Sequence, residues 1–366
     1  MLKLAAFVLG LSRRFLPVKH IFNHISRNGS LPELSIPPIF AMGVSFWVSQ
    51  VIYAAAKLGI ADVLSDGPKS YGELATAVGA RPQTLFRLMR ALTCLGVFIQ
   101  CSDGRFGLTE VGESLRTGFP GSMRSTVIML GEENYQAWGK LVDSVKTGET
   151  AFNRIFDKEI FSYLDSNVHA GTTFARSMSE ITAQISLAVL LAYDFSGVRT
   201  VVDVGGGEGR LLEAVLDAVH GVRGVLFDSG SVIENTGDRS SLMRFGSRCQ
   251  FVAGDFFQCI PSGADVYMLK NVIHDWDDRR SADILRCCHR AMRADSKLLL
   301  IETVIAEGSP STFDSLLDLN MLVISGGCER TEAQFRDLLG QSGFRLVRIL
   351  PTLSPVSILE VVRTPA

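Results

Sequence analysis

The run Thr200-Val201-Val202-Asp203-Val204-Gly205-Gly206-Gly207-Glu208-Gly209-Arg210 decides the fold. Its Val-rich start makes a buried strand. The glycines that follow open a turn where main chain can approach a ligand at the start of a helix, here 211–219. Alone, the pattern is a weak signal. A dinucleotide fingerprint G-x-G-x-x-G beginning at Gly205 requires Gly or Ala at 210, where Arg210 stands, and beginning at Gly207 it requires Gly at 212, where Leu212 stands. The chain here is not G-x-x-x-x-G-K-[ST] either, so a phosphate cradle is disfavoured.

Outward from this run, strands are expected at 200–204, 224–227, 250–253, 266–269, 298–301, 346–350 and 357–362, separated by helical stretches such as 211–219 and 282–292. That alternation is an α/β open sheet. Only a short Pro-containing loop joins the last two strands, too short for a parallel crossover, so they should pair antiparallel.

Residues 40 to about 195 are instead mostly helix-patterned. Phe46, Val48, Val51, Ile52 and Ala55 recur at helical spacing before a stop at Leu58-Gly59. Ser70, with Glu73 three residues on, caps a short helix. A second helix over 81–95 puts Leu85, Leu88, Leu92 and Leu95 on one face before Gly96, and 97–100 with 106–108 makes a hairpin. Helix, helix, hairpin is a winged-helix layout. The expected organisation is a basic N-terminal arm (1–39), a winged-helix domain (40–120), a helical linker and pocket region (121–195) and the α/β domain (196–366).

Composition narrows the function. A chain of 366 residues, 47% hydrophobic and 20% charged, is long enough for two or three domains and is globular rather than disordered. The formal charge of -2 gives no global basic field for nucleic acid. A winged helix raises a transcription regulator as a rival. Arg81, Arg87 and Arg90 lie on the second helix, but its leucine face needs burial and the hairpin tip carries Asp103, so the domain reads as protein-packing.

Seven scattered cysteines read as reduced thiols of a cytoplasmic protein. Cys287-Cys288-His289 suggests a metal only superficially, since adjacent helical residues diverge by about 100° and no second Cys-x-x-Cys closes a tetrahedron. Lys3, Arg13, Arg14, Lys19 and Arg27 make the arm basic, and the apolar run 4–11 is far too short to span a bilayer. Contact of that arm with an anionic membrane surface is less favoured than packing on its own protein or a partner subunit.

The chemistry-bearing residues fall at successive strand ends. Asp228 can bind two ribose hydroxyls, and Gly254-Asp255-Phe256 offers a carboxylate beside an aromatic face. The fourth strand runs into Lys270-Asn271-Val272-Ile273-His274-Asp275-Trp276. Glu302 ends the fifth strand, and Glu329 lies in Gly326-Gly327-Cys328-Glu329-Arg330-Thr331, before a helix capped by Thr331 and Gln334. Taken singly, each has a plain reading: a strand-end turn, a structural His, a solvated acid, a carboxylate complementing a helix dipole. Together, two acids able to converge on one His make an orienting pair.

These motifs, in this order and spacing over roughly 40–363, resemble the S-adenosylmethionine-dependent O-methyltransferases of the caffeic acid and hydroxyindole type and their bacterial small-molecule relatives. The resemblance implies a Rossmann-like class I methyltransferase sheet, S-adenosylmethionine as cofactor, a small hydroxylated acceptor and a homodimer formed through the winged-helix part. It places Gly205 and its neighbours at the methionyl group, Asp228 at the ribose, Asp255 and Phe256 at the adenine, and Lys270 at the remaining polar face. His274 becomes the general base, held by Glu302 and Glu329. Phe174, Met178 and Met321 match acceptor-pocket positions, with ordinary core packing an equal reading for all three.

One departure is Asp228-Ser229-Gly230 where the family usually has Asp-Leu-Pro, which implies a looser ribose-side loop. The resemblance assigns no counterpart to residues 1–32. No metal is needed, because the sulfonium itself activates the methyl group and the protein has to align the reactants and remove one proton. Two rivals keep the fold and cofactor: hydroxylation or pericyclic chemistry, and methylation of an amine.

Overall fold

The computed structural model describes residues 37–236 and 240–364, so residues 1–36 of the expected arm (1–39) lie outside the described residues. The described chain divides into two compact units after Glu132, and the expected segment 121–195 is shared between them.

In the N-terminal unit the helix Phe46–Leu58 ends at Gly59, whose left-handed φ of 68° lets its amide close back on the last turn. The helix Tyr71–Val78 carries a reciprocal capping box: Ser70 Oγ accepts the Glu73 amide, and the Glu73 carboxylate accepts the Ser70 amide at 2.8 Å. The helix Pro82–Cys94 buries Leu85, Met89 and Leu92, while Leu88 and Leu95 are only half-buried. Its buried stripe is thus rotated from the all-leucine face expected, with Met89 in the centre. β1 (Phe98–Gln100) and β2 (Phe106–Leu108) pair antiparallel as the expected hairpin. Helix, helix, hairpin is the order found.

The helices Pro38–Gly43 and Phe46–Leu58 leave Ile39, Phe40, Met42, Phe46 and Trp47 exposed, Ile39 by 77%. The stretch Pro38–Leu58 is also, by length and composition alone, apolar enough to cross a membrane.

The C-terminal unit is built on β3 (Thr200–Val204), β4 (Arg223–Asp228), β5 (Cys249–Ala253), β6 (Val266–Lys270), β7 (Lys297–Glu302), β10 (Phe344–Pro351) and β11 (Ser357–Arg363). Every expected strand forms. The order is β10-β11-β7-β6-β3-β4-β5, parallel except at β11, which runs antiparallel to both β10 and β7. Two short strands, β8 (Val304–Ile305) and β9 (Arg330–Thr331), pair separately. The chain winds from β3 outward through β4 and β5, then returns to the other side of β3 as β6. This reversal opens a crevice beyond the carboxyl ends of β3 and β6.

Helices cover both faces of the sheet. Arg210–Ala218 buries Leu211, Leu212, Val215 and Leu216, and Asp278–Ala291 buries Ile284, Leu285, Cys287 and Cys288. Burial pushes both of these thiols up, and Cys287 Sγ donates to the Phe257 carbonyl at 3.3 Å, which makes the pair core residues.

Candidate active site

The crevice at the switch point is shaped mainly by main chain. Gly205, Gly207 and Gly209 have φ of 68°, 58° and 76°, values that cost other residues strain. At Gly206 a Cβ would sit 2.6 Å from Leu226 and 2.7 Å from the Asp203 carboxyl carbon, so only glycine lets the loop lie this close to the strands. Asp228 accepts the Gly207 amide at 2.8 Å and the Ser229 amide at 2.7 Å, one on each carboxylate oxygen. Burial raises its pKa while the two amide bonds oppose that.

The loop expected to be loose is tied down instead. Ser229 Oγ meets Ser231 Oγ at 3.1 Å, and Ser231 Oγ donates to Asp165 at 2.7 Å.

Asp255 is exposed and holds the turn after β5, accepting the Phe257 amide at 2.8 Å and Gln258 Nε2 at 3.0 Å. Phe256 presents its ring beside Gly205, 3.7 Å from where a Cβ there would be. Lys270 Nζ donates to Thr182 Oγ1 at 3.0 Å; burial lowers its pKa against the pull of Glu302, Asp203 and Asp275. Burial carries Asp203 up to about 7. Asp203 Oδ2 and Asn271 Oδ1 are buried without a hydrogen-bond partner among the described residues. Unspent acceptors, a glycine cradle, two carboxylate oxygens each with a lone pair left and an aromatic face suit a ligand bearing an ammonium group, a ribose and a flat base. S-Adenosylmethionine has these parts.

His274 sits on the short 3-10 turn Ile273–Asp275 after β6 and is buried. Its Nδ1 lies 2.7 Å from Glu329 Oε1, a charge-assisted hydrogen bond. Glu302, expected with Glu329 to hold the imidazole, makes no hydrogen bond to it. Its Oε1 accepts the amides of Val272 and Ile273 at 3.0 and 2.9 Å, holding the turn, and its Oε2 stands 3.8 Å from Nδ1. Asp275 Oδ1 lies 3.9 Å from Nε2. The ligand-type atoms of His274, Glu302 and Glu329 fall within 4.8 Å of one another, a spacing that could also serve a metal; Glu302 Oε1 holds the turn and Glu329 Oε1 the imidazole, while Oε2 of each is buried without a hydrogen-bond partner among the described residues.

Desolvation lowers the pKa of His274, yet Glu302, Asp275 and Glu329 together outweigh it and hold the imidazole at about 9. That is well above the ordinary imidazole value near 6.5, because three carboxylates in a dry pocket stabilise the cation. Burial pushes Glu302 itself up to about 7.

Of the expected pocket residues, Phe174 meets Phe161 edge to face at 6.3 Å, and Phe161 stacks on Trp276 at 5.2 Å, two residues beyond His274. Met178 is half-buried one turn along the same helix, Val168–Ala192. Met321 is buried on the helix Thr312–Ile324, and its carbonyl accepts the Gly326 amide at 2.8 Å where that helix runs into the Glu329 loop.

Sequence reasoning missed several members of the site. Gly327 packs on the His274 turn so closely that a Cβ would overlap the His274 carbonyl and lie 2.7 Å from the Trp276 nitrogen. The Cys328 amide donates to the His274 carbonyl at 3.0 Å, and Asp318 accepts the Glu329 amide at 2.9 Å. Gly326-Gly327 was a visible signal of close approach; Asp318 and Thr182 carried none.

The chain is similar to known proteins along most of its length. Residues 138–345 match the O-methyltransferase domain and residues 42–118 the O-methyltransferase dimerisation domain. A phenazine O-methyltransferase of Lysobacter antibioticus is 45% identical over 335 residues, 92% of this chain and 98% of that one. A phenazine-1-carboxylate N-methyltransferase of Pseudomonas aeruginosa is 34% identical over 83% of this chain and 90% of its own length. Among solved structures, an O-methyltransferase from neocarzinostatin biosynthesis, in complex with S-adenosylmethionine and 2-hydroxy-5-methyl naphthoic acid, superposes with a TM-score of 0.76 at 31% identity, covering 88% of this chain and 98% of that one. The domain match spans more than half of the chain and the first of these relatives nearly all of it, so the chain belongs to the S-adenosylmethionine-dependent O-methyltransferases that act on small metabolites.

Proposed function

We propose that this methyltransferase acts on a hydroxyl of a small aromatic or polyketide-like metabolite, and that His274 accepts the hydroxyl proton at Nε2. The observation that carries the reading is the 2.7 Å bond from Nδ1 to Glu329, which commits Nδ1 as donor and leaves the Nε2 lone pair as the basic one. S-Adenosylmethionine, when bound, supplies an electrophilic methyl group on a sulfonium. Gly205, Asp228, Asp255, Phe256 and Lys270 would hold it, while Phe174, Met178 and Met321 line the acceptor side.

The raised pKa of His274 serves this step. A phenol near 10 gives its proton to an ordinary imidazole at a cost of about 5 kcal/mol, and to one near 9 at about 1.4 kcal/mol. The anionic nucleophile thus becomes accessible without hydroxide. The cost is that free His274 carries a proton at neutral pH, so productive complexes form more readily as pH rises.

A second reading, N-methylation, is favoured by the N-methyltransferase relative. A neutral ring nitrogen has no proton to lose, so that reaction would leave His274 without a task. We assign residues 40–120 to the contact between two copies in a cytoplasmic homodimer, residues 121–195 to the acceptor side and residues 196–366 to cofactor binding; the exposed apolar residues from Ile39 to Trp47 supply the surface such a contact would cover.

The test is incubation with labelled S-adenosylmethionine and a panel of phenols, quinolones and hydroxylated polyketides, with EDTA present. Label in an ether oxygen's methyl group supports the reading. Label only on nitrogen, or none without added metal, overturns it.

A further inference from the structure

We infer that Arg330 is the positioning residue of the proton site, its guanidinium pinning the His274 turn to the Glu329 loop; the inference rests on the reading of His274 as base. Arg330 is 1% exposed, the largest fully buried side chain among the described residues. A guanidinium is kept in so dry a place only when its donors are met.

They are met mostly by main chain. Nη1 donates to the carbonyls of Ile273 at 3.2 Å and Cys328 at 3.4 Å, and Nη2 donates to the Trp276 carbonyl at 2.9 Å and Ser281 Oγ at 3.3 Å. Nε donates to Asp278 at 2.9 Å, a carboxylate that is 79% exposed. Ser281 Oγ in turn shares its single proton between the carbonyls of Ile273 and Trp276, both at 3.2 Å.

The identity of these carbonyls gives the arrangement its meaning. Ile273 and Trp276 bracket His274-Asp275, and Cys328 immediately precedes Glu329. Carbonyls of a short turn at a strand end have no ladder to receive them, so one planar fork satisfies two loops that lie 55 residues apart between His274 and Glu329. Apart from Arg330, the two loops are joined by the Cys328 amide donating to the His274 carbonyl, by a hydrogen bond between Ser325 and the Asp275 carboxylate, and by the His274–Glu329 bond itself. The charged groups facing His274 are Glu329, Glu302 at the end of β7 and Asp275 on its own turn, with Lys270 pulling on the latter two. Losing the pin lets Glu329 drift from Nδ1 while the others stay.

The experiment follows the His274 imidazole by NMR titration, alongside kcat and S-adenosylhomocysteine affinity, in Arg330→Met and Arg330→Lys. The Met variant should titrate His274 about one pH unit lower and lose roughly tenfold or more in kcat, with cofactor affinity within about twofold. Lysine keeps the charge but not the fork, so it should restore only part of both losses. A folded Arg330→Met with the parental titration and parental kcat overturns the inference. If that variant does not fold, Asp278→Asn, at an exposed position, should move the titration the same way by less, and an unmoved titration there overturns the inference equally. If the titration moves as expected while His274→Ala is fully active, the pin stands and it is the base assignment that falls.

Discussion

The two halves of the crevice are built on opposite plans. Beyond β3, β4 and β5 the surface is main chain: three glycines at positive φ, a Cβ-free approach at Gly206, Asp228 accepting amides of the neighbouring glycine loop and of its own, and Asp255 accepting an amide of its own turn. Beyond β6 and β7 it is a buried side-chain network of His274, Glu302, Glu329 and Arg330, joining segments far apart in sequence. A cofactor of constant shape can be met by a rigid local loop. A proton acceptor needs tuned electrostatics, which takes several charges in low dielectric.

The widest separation of the halves is expected at His274. His274→Ala should lower kcat by roughly 10² or more and leave S-adenosylhomocysteine affinity near parental, with partial rescue at pH values approaching that of the phenol itself. Loss of cofactor binding in calorimetry would show that the halves are not separable. The mirror experiment is Asp228→Ala, which removes an acceptor contributing about 1.5 to 3 kcal/mol and should weaken S-adenosylhomocysteine binding about tenfold to a hundredfold. An unchanged isotherm would remove Asp228 from the ribose site.

The pH profile sharpens the same contrast. kcat/KM should climb from pH 6.5 with a limb near 9 set by His274, and both Glu302→Gln and Glu329→Gln, each of which removes a carboxylate that raises His274, should shift that limb down. An unmoved limb in either variant would remove that acid from the charge that raises His274.

The smallest effect concerns stability. His274 is raised from 6.5 to about 9, so it contributes stability that is fully present below pH 6.5 and is lost as pH rises through 9. Asp203 and Glu302, both raised to about 7, act in the same direction between about pH 4 and 7. The melting temperature of the free protein should therefore fall by a few degrees from pH 6.5 to 9. A rise over that interval would contradict the charge assignment.

Much of this protein is written in local sequence. The strand positions, the capping boxes at Ser70 and Thr331, the antiparallel last pair and the glycine turn at Gly205–Gly209 depend on neighbours within a few residues, where periodicity and turn chemistry act. The motifs also sufficed to list His274, Glu302 and Glu329 together. Their division of labour did not follow. That Glu329 takes Nδ1 while Glu302 holds amides, that Gly327 must lack a Cβ, that Arg330 lies buried between two loops and that the imidazole titrates near 9 were all decided by tertiary structure. Hydrogen-bond partners and desolvation are set by which distant segments the sheet brings into one dry space, and no spacing along the chain encodes that distance.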